Sequence, residues 1–173
     1  MNALGFQYPN TLTVTPASGT LTRPADTTAY AAADLVASST TAGSVSVPVV
    51  TVARVAAGSG LIRSALLKSN HTTGLGTINF TVDLWTAAPT FTNGDNGAYA
   101  VATNGDKWLG SLSGSFRQFA DYAVAMLACD SGFPEIAFKL ASGTDIYWTM
   151  RTNAAFTPQS AKTFTLVPSV LQD

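Results

Sequence analysis

The densest cluster of chemistry-bearing side chains lies in FTNGDNGAYA, residues 91–100, where Asn93, Asp95 and Asn96 crowd between glycines. A calcium loop needs oxygens at alternating positions and a bidentate glutamate at position twelve. Counted from Asn93, alternation gives Asn93, Asp95 and Gly97, and position twelve is Asn104. One carboxylate is local. A second, Asp106, joins it only if two loops meet, so Asp95 and Asp106 are weak metal candidates and a turn between strands is the preferred reading. No cofactor is expected. Three further acids, Asp83, Glu135 and Asp145, lie on strand-like segments. A sandwich glycosidase would hold two such acids roughly 5–9 Å apart across a groove. Glu135 and Asp145 sit at strand starts beside turns, where acids serve solubility, so no catalytic residue is assigned.

The single cysteine, Cys129, and the single histidine, His71, have no motif linking them, and Cys129 lies in the apolar run YAVAMLACD. The expectation is a buried structural thiol, and one cysteine forms no intrachain disulfide. There is no Gly-x-Ser-x-Gly elbow, no phosphate-cradling glycine loop and no histidine pair for a metal. The chain is not read as an enzyme. Trp85, Tyr99, Trp108 and Tyr147 are candidates to reach outward, where aromatic rings anchor protein contacts or stack on sugars.

The elements that must position these residues read as strands. GTINFTVDLW, residues 76–85, is the clearest, with Ile78, Phe80, Val82 and Leu84 on one face and Asn79, Thr81, Asp83 and Trp85 on the other. DIYWTMR at 145–151 puts Ile146, Trp148 and Met150 inward, and PEIAFKL at 134–140 does the same with Ile136, Phe138 and Leu140. TLTVT at 11–15 is a short strand. SVSVPVVTVARV at 44–55 carries Pro48, which marks an edge or a bulge. GLIRSALLKSN at 60–70 alternates Leu61, Arg63, Ala65 and Leu67, a mixed face. TFTLVPSVL at 163–171 closes the chain. Alanines near 114–132 suggest a short helical turn near 116–120, then a strand. The repeated TNGD at 92–95 and 103–106 brackets one short strand with two loop ends. The fold expected is an all-β antiparallel sandwich, jelly-roll-like, of about ten short strands with at most a short helix near 116–120. One domain covers 11–173. Residues 1–10, with Phe6 and Tyr8, are read as an extended N-terminal arm.

The 173 residues are 46% hydrophobic but only 11% charged, against about 25% in an average domain. Low charge leaves a surface poorly protected against association. Net charge is −1 with no basic stripe, which disfavours nucleic acid. No basic amphipathic helix or apolar run near 20 residues points to a membrane. The stretch MNALGFQYPN has neither a basic nor an apolar signal region, so synthesis and folding in a cytoplasm are expected.

RPADTTAYAAADLVA carries Tyr30, Asp34 and Val36 at the spacing of a Tyr-x-x-Gly-Asp-x-Val turn seen in small carbohydrate-binding modules, but Ala33 stands where the glycine belongs. A likeness covering more of the chain runs through AYAAADLVA, INFTVDLWTAAPTFTNGDNGAYAV, KWLGSL and FTLVPSVLQD. These stretches resemble a family of small β-rich proteins encoded among tailed-bacteriophage structural genes. The most specific part is Leu84, Trp85, Pro89, Asp95, Asn96 and Gly97. The resemblance implies a virion component that decorates or cements the capsid shell, with the major capsid protein and copies of itself as partners, a trimer favoured, and no catalytic residue to carry over. Contact would then fall to Trp85, Phe91, Asn96, Tyr99 and Trp108, with Phe6 and Tyr8 of the arm. The alternatives are a carbohydrate- or receptor-binding module of a tail or fibre, and a sandwich hydrolase using Asp83, Glu135 or Asp145.

Overall fold

A computed structural model describes residues 19–130, 132 and 134–172. The strand expected at 11–15 and the arm with Phe6 and Tyr8 lie outside the described residues. The rest is all-β. Thirteen strands follow in chain order: β1 (Gly19–Thr22), β2 (Leu35–Val36), β3 (Val49–Thr51), β4 (Ser59–Ser69), β5 (Asn79–Trp85), β6 (Thr90–Phe91), β7 (Val101–Thr103), β8 (Trp108–Ser115), β9 (Arg117–Gln118), β10 (Ala123–Cys129), β11 (Ile136–Lys139), β12 (Asp145–Thr152) and β13 (Thr163–Gln172). Several are two-residue pairings, which is why the number exceeds the ten read from the sequence. Two single turns of 3-10 helix, Ala42–Ser44 and Gly105–Lys107, are the helical content among the described residues. Residues 116–120 form no helical turn. Arg117 and Gln118 instead pair with Val124 and Ala123 across a short hairpin.

All pairings are antiparallel, in the order β1-β13-β4-β10-β8-β5-β12-β2, with β11 beside β4, β9 beside β10 and β3 beside β12. The sheet curls into a sandwich-like closure in which β1, at one end of the order, packs near β3, at the other. Gly19 permits that approach. A Cβ there would lie 2.2 Å from the Val49 carbonyl oxygen and 2.5 Å from the Trp148 indole nitrogen. Pro48 immediately precedes β3, where its missing N–H breaks no ladder, and its carbonyl accepts from Trp148 N.

The curl encloses one continuous core. Phe80 is its hub, edge-on to Phe116 at 5.3 Å and Phe156 at 5.4 Å, and tilted to Phe164 at 5.9 Å. Ile146, Trp148 and Met150 on β12 face it, as do Ile136 and Phe138 on β11 and then Leu140. The mixed face of β4 has a local cause. Ser64 pairs with Ser169 and Ile62 with Val170, so Arg63 is an extra residue on β4. This bulge reverses the alternation, so Ile62 is buried, Arg63 exposed, and Ala65 and Leu67 buried again.

On β5 both faces are covered. The second covering comes from residues 86–107, an excursion between β5 and β8 that includes the β6–β7 hairpin. Its Phe91 packs with Leu35 and Ala37 in a small satellite core, backed by Tyr99, Val101, Val45 and Val47. Residues 95–99 zip onto 33–39 through backbone bonds: Leu35 N to Gly97 O, Asn96 N to Leu35 O, Tyr99 N to Ala33 O and Asp95 N to Ser39 O.

Candidate functional site

The FTNGDNG stretch is a structural anchor. Gly97 N bonds Gly94 O to close a turn, with Asn96 in the left-handed region at φ 61°. Asp95 points inward and is 6% exposed. Its Oδ1 accepts from the Tyr30 hydroxyl (2.6 Å) and from Ala37 N (2.7 Å), and its Oδ2 accepts from Arg23 Nη2 (2.9 Å). Arg23 Nε bonds the Tyr30 oxygen, and Tyr30 stacks on Phe156 at 4.9 Å. Burial first, then the Asp95 charge, push the Tyr30 hydroxyl far above its ordinary pKa, so it stays a donor. Both Asp95 oxygens are thus engaged within the chain. Asp106 is exposed and pairs with its neighbour Lys107 at 2.6 Å. The described residues hold no group of three or more metal-ligating side chains.

Four of the residues singled out in the sequence, Asp83, Trp85, Tyr99 and Trp108, converge elsewhere. Asp83, Trp85, Tyr99, Gly105, Trp108, Ser111 and Arg151 line a shallow recess of about 260 Å3 on the outer side of β5, β8 and β12. Asp83 and Ser111 are cross-strand partners. Trp108 joins them through a bulge. Leu84 pairs with Gly110 but Trp85 pairs with Trp108, so Leu109 is one residue too many. In a regular strand Trp108 would share the face of Gly110 and Leu112. The extra residue swings its indole to the face of Ser111 and Asp83, while Leu109 packs on the core.

Asp83 is 3% exposed. Its Oδ1 accepts from Ser111 Oγ and from Trp108 Nε1 (3.1 Å), which fixes the plane of an indole that is half exposed. Its buried Oδ2 makes no hydrogen bond, and Arg151 Nη1 stands off at 3.5 Å. The Arg151 guanidinium lies over the Tyr99 ring at 5.0 Å. The Tyr99 hydroxyl shares a hydrogen bond with Thr149 Oγ1 (2.7 Å), and Thr149 Oγ1 accepts from Trp85 Nε1 (2.9 Å). Burial, and next the Asp83 charge, raise the Tyr99 pKa.

Trp85, read as outward-facing, is buried, because the excursion covers it and Thr149 takes its N–H. Phe91 is buried in the satellite core, Asn96 and Tyr99 are partly buried, and Trp108 is the one contact candidate among the described residues that is as much as half exposed. Glu135 pairs with Arg63 at 2.6 Å, and Asp145 accepts from Thr51 Oγ1 (2.7 Å) and Thr144 Oγ1 (3.1 Å). Cys129, expected to be buried, is half-buried, because it ends β10 at the sheet's changeover to β11. Burial and Glu135 raise its pKa, which keeps it a thiol. His71 is fully buried. Ser69 Oγ donates to Thr163 O (2.7 Å), so His71 Nδ1 is the donor to Ser69 Oγ (2.7 Å), leaving Nε2 buried without a partner.

Sequence reasoning missed Ser111 and Arg151 as partners of Asp83. Arg151 follows Thr149 on one face of β12 and was findable by alternation. Ser111 was not, because the bulge before it carries no sequence signature. Comparison with protein-family models, with curated proteins and with solved structures finds no match to this chain.

Proposed function

We propose that the protein is a non-catalytic structural component of a phage virion that decorates the capsid shell by bridging major capsid subunits. It would act as a homo-oligomer, and a trimer suits threefold positions on a shell. The observation that carries the reading is an apolar row on the outer face of β10. Met126 is 68% exposed. Across the ladders it faces Leu66, and Leu66 faces Val167. At the near end of β10, Phe119 and Tyr122 are exposed and stacked at 5.5 Å. Apolar surface of this kind, on a chain with 11% charged residues, is what packing against neighbouring subunits covers. The resemblance through Leu84, Trp85, Pro89, Asp95, Asn96 and Gly97 supplies the phage context. The engagement of Glu135 by Arg63 and of Asp145 by Thr51 supports a role without catalysis.

The test is cosedimentation of the purified protein with empty phage capsids stripped of decoration, with the solution mass measured by light scattering. Saturation at a fixed ratio to the major capsid protein is expected, with loss of binding in Met126→Lys. A folded protein that ignores capsids overturns the proposal.

A further inference from the structure

The Asp83 recess presents three features together: a buried carboxylate oxygen without a hydrogen bond, a guanidinium 3.5 Å from it, and a half-exposed indole. We infer that the recess binds one ring of a saccharide, with a ring hydroxyl inserted between Arg151 and Asp83 and the C–H face of the ring against Trp108. This goes beyond shell binding and does not depend on it.

Chemistry selects the hydroxyl. A 3.5 Å separation between Arg151 Nη1 and Asp83 Oδ2 is an ion pair too long for a good hydrogen bond. Widened by about 1 Å, it admits one oxygen bonded to both. A hydroxyl accepts from the guanidinium and donates to the carboxylate at once. An ammonium group cannot accept from Arg151, and a carboxylate cannot donate to Asp83. Charge agrees, because Arg151 already balances Asp83 and a second ion of either sign meets repulsion from one of them. Arg151 has a solvent side to move toward, since its side chain is one-third exposed, and its contact with the Tyr99 ring is not a directional bond that the movement would break.

Trp108 supplies the second half of the site. Its Nε1–H is tied to Asp83 Oδ1, so the indole stands at a fixed angle beside the carboxylate. An aromatic face held in place offers packing to an aliphatic ring without first losing side-chain freedom. A recess of about 260 Å3 that is open on one side takes a single terminal ring rather than enclosing a chain.

The experiment is an NMR titration of the 15N-labelled full chain, following the Trp108 indole N–H. The probes are the methyl pyranosides of glucose, galactose and mannose, and N-acetylglucosamine, each to roughly 100 mM, the range for weak binding. Butylammonium and acetate are the ionic controls. At least one sugar is expected to shift the Trp108 resonance saturably. Binding followed on the other recess amides should weaken about tenfold or more in Trp108→Ala, in Asp83→Asn and in Arg151→Met. Trp108→Ala alters a half-exposed side chain, so it keeps the test valid if Asp83→Asn unfolds. The inference is overturned if no sugar shifts the resonance, if the folded variants bind as the parent does, or if butylammonium or acetate binds more tightly than every sugar.

Discussion

His71 should make this protein less stable in acid. His71 is fully buried, and its pKa is lowered from 6.5 to about 4, by burial first and then by the positive charges of Arg23 and Lys162. The folded-state pKa lies below the unfolded one, so the unfolded chain binds the proton first. The stability associated with a neutral His71 is therefore complete above pH 6.5 and is lost as pH falls through 4. Between those limits the slope is about 1.4 kcal/mol per pH unit. The full loss is about 3 kcal/mol, and about 2 kcal/mol of it has gone by pH 5. The comparison that isolates it is His71→Gln, which removes the titration and leaves every surface carboxylate in place. Urea unfolding of both proteins at pH 7.5, 6, 5 and 4.5 gives two stability curves. Parent minus variant should fall by about 2 kcal/mol from pH 7.5 to 5. A difference that stays flat to within about 0.5 kcal/mol would refute the assignment of a buried, neutral, singly bonded imidazole.

Asp95→Asn takes from the buried Arg23 its nearer carboxylate and leaves the partly exposed Asp26, at 3.4 Å, as the other; loss of one partner of a buried pair costs about 3–5 kcal/mol, thermal unfolding followed by circular dichroism reads it, and a change under about 1 kcal/mol would mean that Asp26 alone holds the Arg23 guanidinium. Gly19→Ala should destabilise by about 1–3 kcal/mol, because its Cβ overlaps the Val49 carbonyl oxygen and β1 must move from β3; the urea midpoint is the readout. Calcium at millimolar level should move the melting temperature by less than about 1 °C, because a ligand that does not bind the folded state does not stabilise it and Asp95 has no free oxygen to offer.

The architecture was legible wherever alternation survives to a strand's end. Residues 136–140 and 145–151 place Ile136, Phe138, Leu140, Ile146, Trp148 and Met150 inward as their period of two demands. Alternation fails at Arg63 and at Leu109, where an extra residue reverses the faces and no residue type announces it. On β10 side-chain size does not mark the inner face, since Ala123 and Ala125 face the core while Tyr122 and Met126 face out. Asp95 was read as a turn residue and a weak metal candidate because its neighbours are turn formers. The partner that explains it, Arg23, lies 72 residues away and is joined to it only by the closure of the sheet. The recess was half visible. Its aromatics and acid could be named, but their convergence depends on the bulge in β8.

The Leu109 bulge is also where β8 absorbs one residue without moving its neighbours. Delete Leu109 and Trp108 directly precedes Gly110, so plain alternation keeps it opposite Trp85 and on the face of Ser111 and Asp83. What the deletion removes is the Leu109 side chain packed on the core. The recess is thus insulated from the length of the strand that carries it: the indole keeps its carboxylate whether residue 109 is present as a bulge or absent, and the core bears the difference.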